Sequence, residues 1–288
     1  MESLTAISIH SRNAEEFLRR SELSEKQRDG EITGLINVII NSSRARRPEE
    51  ICEEFRKAFP SYTSTDLAKL CHALSESQRY GASVWARSFF GSEDIPAGSH
   101  GKVALVRNKY NEEAFELFSK VITNPKPIYS PSFSDACEDV FDGRCEFCVL
   151  PVENSQSGRL FGFYSMFDRY ELRICAVCEL DAAGTSESTR YALVGKLVPD
   201  RIPKSLRWRF ECSVISETGA VLGEISRVCH VFGAELSKVD SLPVEYDEKL
   251  KKYFFTFEIP ENTISGFDLY LSEKYARYSP IGLYPLIV

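Results

Sequence analysis

The hydrophobic period of this chain changes near residue 100, and that change constrains the fold more than any other feature. Before it, apolar residues recur at the three- and four-residue spacing of helices. After it, short apolar runs such as VALV at 103–106 and CEFCVLPV at 145–152 have the length of buried strands. The intervening GSEDIPAGSHG at 91–101 has the composition of a linker. We therefore predict a helical region over 1–100, followed by sheet-containing domains.

Three apolar stripes mark the helical region. Pro48 is placed for a first helical turn, Pro60 ends the second stripe, and the run 63–65 offers a cap for the third helix. The stripes consist of Ile32, Leu35, Ile36, Ile39 and Ile40; of Ile51, Cys52, Phe55 and Phe59; and of Leu67, Leu70, Cys71 and Leu74.

Residues 101–200 alternate strand-like runs with helical segments, which predicts an α/β domain with a largely parallel sheet. Pro199 and Pro203 mark the next boundary. Over 204–288 the pattern is β-α-β-β-α-β, which predicts a ferredoxin-like α+β domain. The chain is thus expected to combine α/β and α+β domains behind helices.

Composition narrows the class of function. The chain is 43% hydrophobic and 27% charged, as in soluble globular proteins, and its net charge of −7 argues against a large nucleic-acid interface. No apolar run approaches membrane-span length, and the first residues lack a secretion signal. Nine cysteines without such a signal predict reduced thiols in the cytoplasm or in an organellar matrix or stroma.

Two CxxC pairs, Cys145–Cys148 and Cys175–Cys178, have a spacing found in zinc sites. Both lie in strand-like runs, where residues i and i+3 point to opposite faces. We therefore predict buried core cysteines, no metal and no cofactor. The four histidines are far apart in sequence and stand beside no obvious nucleophile.

The stretch LPVENSQSG at 150–158 places Glu153, Asn154 and Ser155 at the end of a predicted strand. Ligands of α/β sheets bind at such strand ends, although a polar turn of this kind is more often a structural cap. The residues alone leave both interpretations open.

Two motifs in order resemble the prephenate dehydratase family. Residues 151–155, Pro-Val-Glu-Asn-Ser, are similar to the family's Pro-Ile-Glu-Asn-Ser, and 188–191, Ser-Thr-Arg-Tyr, to its Thr-Arg-Phe. The resemblance implies that Thr189 assists departure of the prephenate hydroxyl. It also implies a substrate-binding set of Glu153, Asn154, Ser155, Arg190 and Tyr191.

The last segment resembles the ACT domain that follows such enzymes. Its Gly-Ala-Leu helix start corresponds to 219–222 and its Glu-Ser-Arg-Pro motif to 240–243, and IGLYP at 281–285 also fits. The resemblance implies an effector site for an aromatic amino acid at Gly219, Ala220, Val221, Leu222, Asp240, Ser241 and Pro243. The helices occupy the place of chorismate mutase in fused enzymes. A degenerate mutase-like bundle and an unrelated helical domain both fit them.

Three departures from the family's motifs argue against its catalysis and against its binding of phenylalanine. The glycine-rich loop after the first strand is replaced by Arg-Asn-Lys-Tyr-Asn at 107–111. The interval 155–188 is too short for the family's second lobe, and Leu242 replaces the arginine of the ACT motif. A site without that lobe lies open to water, where preorganised hydrogen bonds contribute less.

We therefore expect a catalytically degenerate, structural, regulatory or partner-binding derivative of a phenylalanine-biosynthesis enzyme. It would act as a homo-oligomer or as a subunit of a larger assembly. An active prephenate dehydratase and an aromatic amino-acid sensor are the alternatives, with prephenate or an aromatic amino acid as ligand.

Overall fold

The computed structural model describes residues 26–41, 47–76, 100–181, 186–202, 205, 207–245 and 247–285. Eight helices are defined there: α1 (26–41), α2 (Pro48–Ala58), α3 (Ser64–Glu76), α4 (Lys109–Phe118), α5 (Phe133–Phe141), α6 (Phe161–Tyr170), α7 (Ala220–Cys229) and α8 (Ile264–Lys274). The linker predicted at 91–101 lies almost entirely outside the described residues.

Ten strands form one continuous sheet. They are β1 (Lys102–Val106), β2 (Lys126–Ser130), β3 (Phe147–Asn154), β4 (Gly158–Arg159), β5 (Arg173–Asp181), β6 (Ser188–Gly195), β7 (Arg207–Ser216), β8 (Glu235–Val244), β9 (Asp247–Pro260) and β10 (Tyr278–Pro285). The strand order is β2-β1-β3-β6-β5-β10-β7-β9-β8, and β4 pairs with β3.

The sheet is mixed, so the prediction of a largely parallel sheet over 101–200 is wrong. Strand β1 runs parallel to β2 and β3, but β6 is antiparallel to both β3 and β5. An alternating pattern of strands and helices predicts parallel pairing when a helix connects one strand to the next, because the helix returns the chain to the same end of the sheet. Here β6 follows β5 without a helix between them among the described residues, and the two strands pair antiparallel.

The final six elements confirm the predicted ferredoxin-like arrangement. The order β7-α7-β8-β9-α8-β10 along the chain gives the spatial order β10-β7-β9-β8, with every neighbouring pair antiparallel. This sheet joins the preceding one where Gly282 of β10 pairs in parallel with Ile174 of β5. A Cβ atom at Gly282 would lie 2.6 Å from Cβ of Ile174, so the junction requires glycine.

Two hydrophobic cores lie on opposite faces of the sheet. Successive residues of a strand point to opposite faces, so Val103 and Leu105 enter one core while Ala104 enters the other. The first core also contains α4, α7, α8 and the N-terminal helices, whereas the second lies under α5 and α6. The apolar stripes predicted for α2 and α3 are buried, except that Phe59, after the end of α2, is half-buried.

The N-terminal helices pack on the helical layer of the C-terminal domain. Thr63 and Asp66 form a reciprocal cap at the start of α3, confirming the expected cap position. Helix α3 crosses α8 so closely that a Cβ at Gly266 would lie 2.7 Å from the Cys71 carbonyl oxygen. Arg56 of α2 pairs with Glu273 of α8 at 2.7 Å. Within the described part of the chain, no helix has the length and apolarity of a membrane span.

The CxxC pairs lie in the cores, with one departure from the expected geometry. Cys145, Cys148 and Cys175 are buried and Cys178 is half-buried. Each pair belongs to a single core rather than pointing to opposite faces, because Cys145 precedes β3 and a bulge between Ile174 and Ala176 shifts the register around Cys175. Among the described residues, no group of three potential metal ligands converges.

Candidate functional site

The Glu-Asn-Ser segment lies in a β-hairpin made by β3 and β4. Glu153 pairs with Arg159 and Asn154 with Gly158, so the two strands reverse within a few residues. Gly158 has φ of 71°, a left-handed conformation that glycine adopts without steric cost. The Asn154 side-chain oxygen accepts a hydrogen bond from the Gln156 backbone N–H at 2.9 Å, which closes the turn.

The structure brings the two motifs together across the β3–β6 ladder. Asn154 is the register partner of Thr189, and its Nδ2 donates to Thr189 Oγ1 at 3.1 Å. Ser155 binds the backbone of Ser188 through its own N–H and through its hydroxyl, at 2.9 Å each. The Asn154 amide thus uses its oxygen and one of its N–H groups for bonds within the fold itself. Both Asn154 and Thr189 are half-buried, and Ser155 is exposed.

Glu153 is held between two cations. Its carboxylate accepts from Arg190 Nη1 at 2.9 Å and from Lys238 Nζ at 2.7 Å, and the Glu153 side chain is 23% exposed. Lys238 belongs to β8 of the C-terminal domain, so a residue 85 positions away in sequence completes this cluster. Two cations therefore surround one carboxylate where the resemblance implies substrate binding.

Tyr191 points to the other face of the sheet from Arg190. Its ring is buried against the core beneath α4, and burial, followed by the nearby Tyr110 and Cys178, raises its pKa above the usual value. Tyr110 is 36% exposed. It belongs to the segment 107–111, which replaces the family's glycine-rich loop.

Helix α4 caps its own N-terminus at this segment. Asn108 Oδ1 accepts from the Asn111 N–H at 2.9 Å, and Asn111 Nδ2 donates to the Val106 carbonyl at 2.8 Å. Asn111 is fully buried, and its Oδ1 has no hydrogen-bond partner. A helix N-terminus attracts anions through its unpaired N–H groups, and here one of those groups already binds an asparagine of the chain.

A buried charge cluster adjoins the hairpin. Arg159 is 1% exposed in its side chain and donates to Glu211 at 2.6 Å, to Asp240 at 2.9 Å and to Thr256 at 2.9 Å. Its guanidinium carbon lies 4.6 Å from the centre of the Tyr164 ring. The hydroxyls of Tyr164 and Tyr284 also donate to Glu211. This cluster, called the Arg159 cluster below, joins the hairpin to β7, β8 and β9.

The ionisation of the Arg159 cluster follows from its partners. Burial alone would raise the pKa of Glu211, but the charge of Arg159 and the hydrogen bond from Tyr284 outweigh it, and the pKa lies below its usual value. Burial would likewise lower the pKa of Arg159, and Glu211 reverses that shift. Both groups are therefore held in their charged forms at neutral pH.

The segments matched to the ACT motifs lie at one end of the C-terminal domain. Ser216 and Pro243 both pair with Lys251, which brings the end of β8 near the β7–α7 turn. Gly219, Ala220, Ser241 and Pro243 are exposed, whereas Val221 is buried and Leu222 is half-buried. Asp240 points the opposite way, since its carboxylate binds Arg159.

The sequence interpretation missed Arg159, Lys238 and Glu211. Arg159 follows the recognised turn directly, and a charged residue beside a turn is usually solvated. Only the pairing of distant strands reveals these residues.

Comparisons with known proteins identify solved structures with a similar fold. No protein-family model matches the chain, and no curated protein matches it. The structure is similar to GqqA, described as a novel type of quorum quenching acylase, with a TM-score of 0.52 and 15% identity over 65% of this chain and 95% of that one. It is also similar to prephenate dehydratase from Streptococcus mutans, with a TM-score of 0.51 and 17% identity over 64% and 97% of the two chains. The fold is therefore prephenate-dehydratase-like.

Proposed function

We propose that this prephenate-dehydratase-like protein is catalytically degenerate and acts as a regulatory, structural or partner-binding subunit derived from phenylalanine biosynthesis. The fold alone does not select a function, since the similar structures include one described as an acylase and one described as a dehydratase. The proposal rests on the side chains at the candidate site.

One observation carries the proposal: the candidate site satisfies its own polar groups. Glu153 is neutralised by Arg190 and Lys238, and the Asn154 amide binds Thr189 and the hairpin backbone. A ligand carboxylate would have to displace Glu153 from its two cations. Catalysis needs donors aimed at charge that develops in the transition state, and donors already bonded within the fold do not supply that stabilisation.

The segment 107–111, which stands in place of the family's glycine-rich loop, also supports a loss of catalysis. Asn108 is the N-cap of α4, and Asn111 is buried with its amide nitrogen bound to the Val106 carbonyl. A glycine loop lets backbone N–H groups approach a ligand closely, whereas here the Asn111 N–H already binds the Asn108 side chain. Between Asn154 and Thr189 the described residues form only β4, α6 and β5, which build the sheet and its second core.

The test is turnover by the purified full-length protein. We expect no formation of phenylpyruvate from prephenate above the buffer blank, measured beside an authentic dehydratase as positive control. The Thr189→Ala variant serves as the matched negative control, because it removes the only side chain credited with assisting hydroxyl departure. Turnover by the wild type that disappears in Thr189→Ala would overturn the proposal and establish an active dehydratase.

A second candidate is an ACT-like sensor of an aromatic amino acid. It is favoured by the exposed Ala220, Ser241 and Pro243 at one end of the C-terminal domain. Phenylalanine that binds there would raise the melting temperature in proportion to the logarithm of its concentration. We expect this rise to vanish in Ala220→Glu if the site is used; an unchanged melting temperature at millimolar phenylalanine rejects the sensor.

A further inference from the structure

We propose that the C-terminal domain is a structural component of the candidate site, with Arg159 and Lys238 as the positioning residues that hold the β3–β4 hairpin in place. This inference does not depend on whether the site turns over a substrate.

The β3–β4 hairpin connects Arg159 directly to the residues of the candidate site. Arg159 is the register partner of Glu153, and Gly158 is that of Asn154. Asn154 in turn pairs with Thr189. A displacement of Arg159 therefore moves the segment that carries Glu153, Asn154 and Ser155.

All three hydrogen-bond acceptors of Arg159 belong to the C-terminal domain. Glu211 lies on β7, Asp240 on β8 and Thr256 on β9, and each binds a different guanidinium nitrogen. A planar guanidinium held at three nitrogens has a defined position and orientation. Tyr164 covers it from α6 and also donates to Glu211.

Lys238 makes a second connection from the same domain. Its Nζ lies 2.7 Å from Glu153 and 3.7 Å from Asp240. Asp240 thus contacts both positioning residues. Without the C-terminal strands, Arg159 would lose all three acceptors and Glu153 would lose one of its two cations. The hairpin conformation therefore requires both domains.

Hydrogen exchange of the full-length protein tests the role of Arg159. In Arg159→Met we expect the amides of 150–162 to exchange at least about tenfold faster than in the wild type, because the hairpin opens locally. The matched control is Arg209→Met, which removes an ion pair with Glu258 inside the C-terminal sheet. We expect it to leave 150–162 within about twofold of the wild type. Unchanged exchange in Arg159→Met, or the same acceleration in every strand, would overturn the role of Arg159.

Lys238 variants provide a second test that keeps the buried Arg159–Glu211 pair. We expect Lys238→Met to accelerate exchange of 150–162 by about threefold, and Lys238→Arg to restore wild-type exchange because it retains the cation. Lys251→Met, on the neighbouring strand and exposed, is the control. If Lys238→Met and Lys238→Arg give the same exchange rates over 150–162, the charge does not position the hairpin, and the proposed role of Lys238 fails. Because no turnover is measured, neither result depends on the proposed loss of catalysis.

Discussion

Single residues decide whether the β3–β4 hairpin stays attached to β7, β8 and β9. Arg159 and Glu211 are nearly fully buried, and a buried ion pair gains its stability only when both charges are present and bonded. The same sheet also carries the Arg209–Glu258 pair at 3.5 Å, in which both side chains are about a quarter exposed. Water screens such a pair, so the two sites should respond very differently to loss of one partner.

Replacing Glu211 with leucine should cost about 3–5 kcal/mol of unfolding free energy, because Arg159 would keep a buried charge with only Asp240 to neutralise it. Urea denaturation at pH 7 measures this. Glu258→Gln, the control at the partly exposed Arg209–Glu258 pair, should cost less than about 1 kcal/mol. Equal costs at the two sites would contradict a special role for the Arg159 cluster.

At the scale of elements, the crossing of α3 and α8 attaches the N-terminal helices to the rest of the molecule. Gly266 permits this contact, since a Cβ there would approach the Cys71 carbonyl oxygen to 2.7 Å and Ser75 Oγ to 2.9 Å. Gly223, in the exposed part of α7, has no atom within 4 Å of its hypothetical Cβ. The two helical glycines differ only in their surroundings.

Gly266→Ala should therefore destabilise the protein by about 1–3 kcal/mol, as overpacking forces α3 away from α8. Gly223→Ala should stabilise it by about 0.4–1 kcal/mol through the lower entropy of the unfolded chain. Thermal unfolding of both variants distinguishes the effects. A stabilising Gly266→Ala would show that α3 does not pack tightly on α8 in solution.

Over the whole molecule, buried thiols make stability depend on pH. Burial raises the pKa of Cys145 to about 11, with a further contribution from Asp139, and raises that of Cys229 to about 11 and that of Cys178 to about 12. The unfolded chain ionises near 9.0, the ordinary thiol value. A raised folded pKa contributes stability that is complete below the unfolded pKa and is lost as pH rises towards the folded pKa.

We therefore expect the unfolding free energy, measured in urea with a reductant present, to fall as the pH rises from 9.0 towards about 11. Each thiol that stays buried and neutral should account for roughly 1 kcal/mol of the loss. Cys229→Ala removes one such group, so its stability should fall less steeply over the same range. A flat profile for the wild type would mean that these thiols are solvated in the folded protein.

Local pattern was sufficient for most of the described helices and strands, for the ferredoxin-like arrangement and for the turn at Glu153–Ser155, but not for the short strand β4. Helical stripes and strand runs depend on neighbours a few residues apart, and such spacing is visible in a sequence. The motifs around Asn154 and Thr189 were likewise visible, and the structure pairs these two residues directly.

Tertiary structure alone decided the strand directions, the joining of two sheets into one, and the partners of the site. Gly282 meets Ile174, Lys238 meets Glu153, and Arg159 meets Glu211. Each of these contacts joins residues that are distant in sequence, and no local periodicity encodes such a pairing. Burial then gives the charged pairs their energetic weight, because the interaction between charges depends on how much water remains around them.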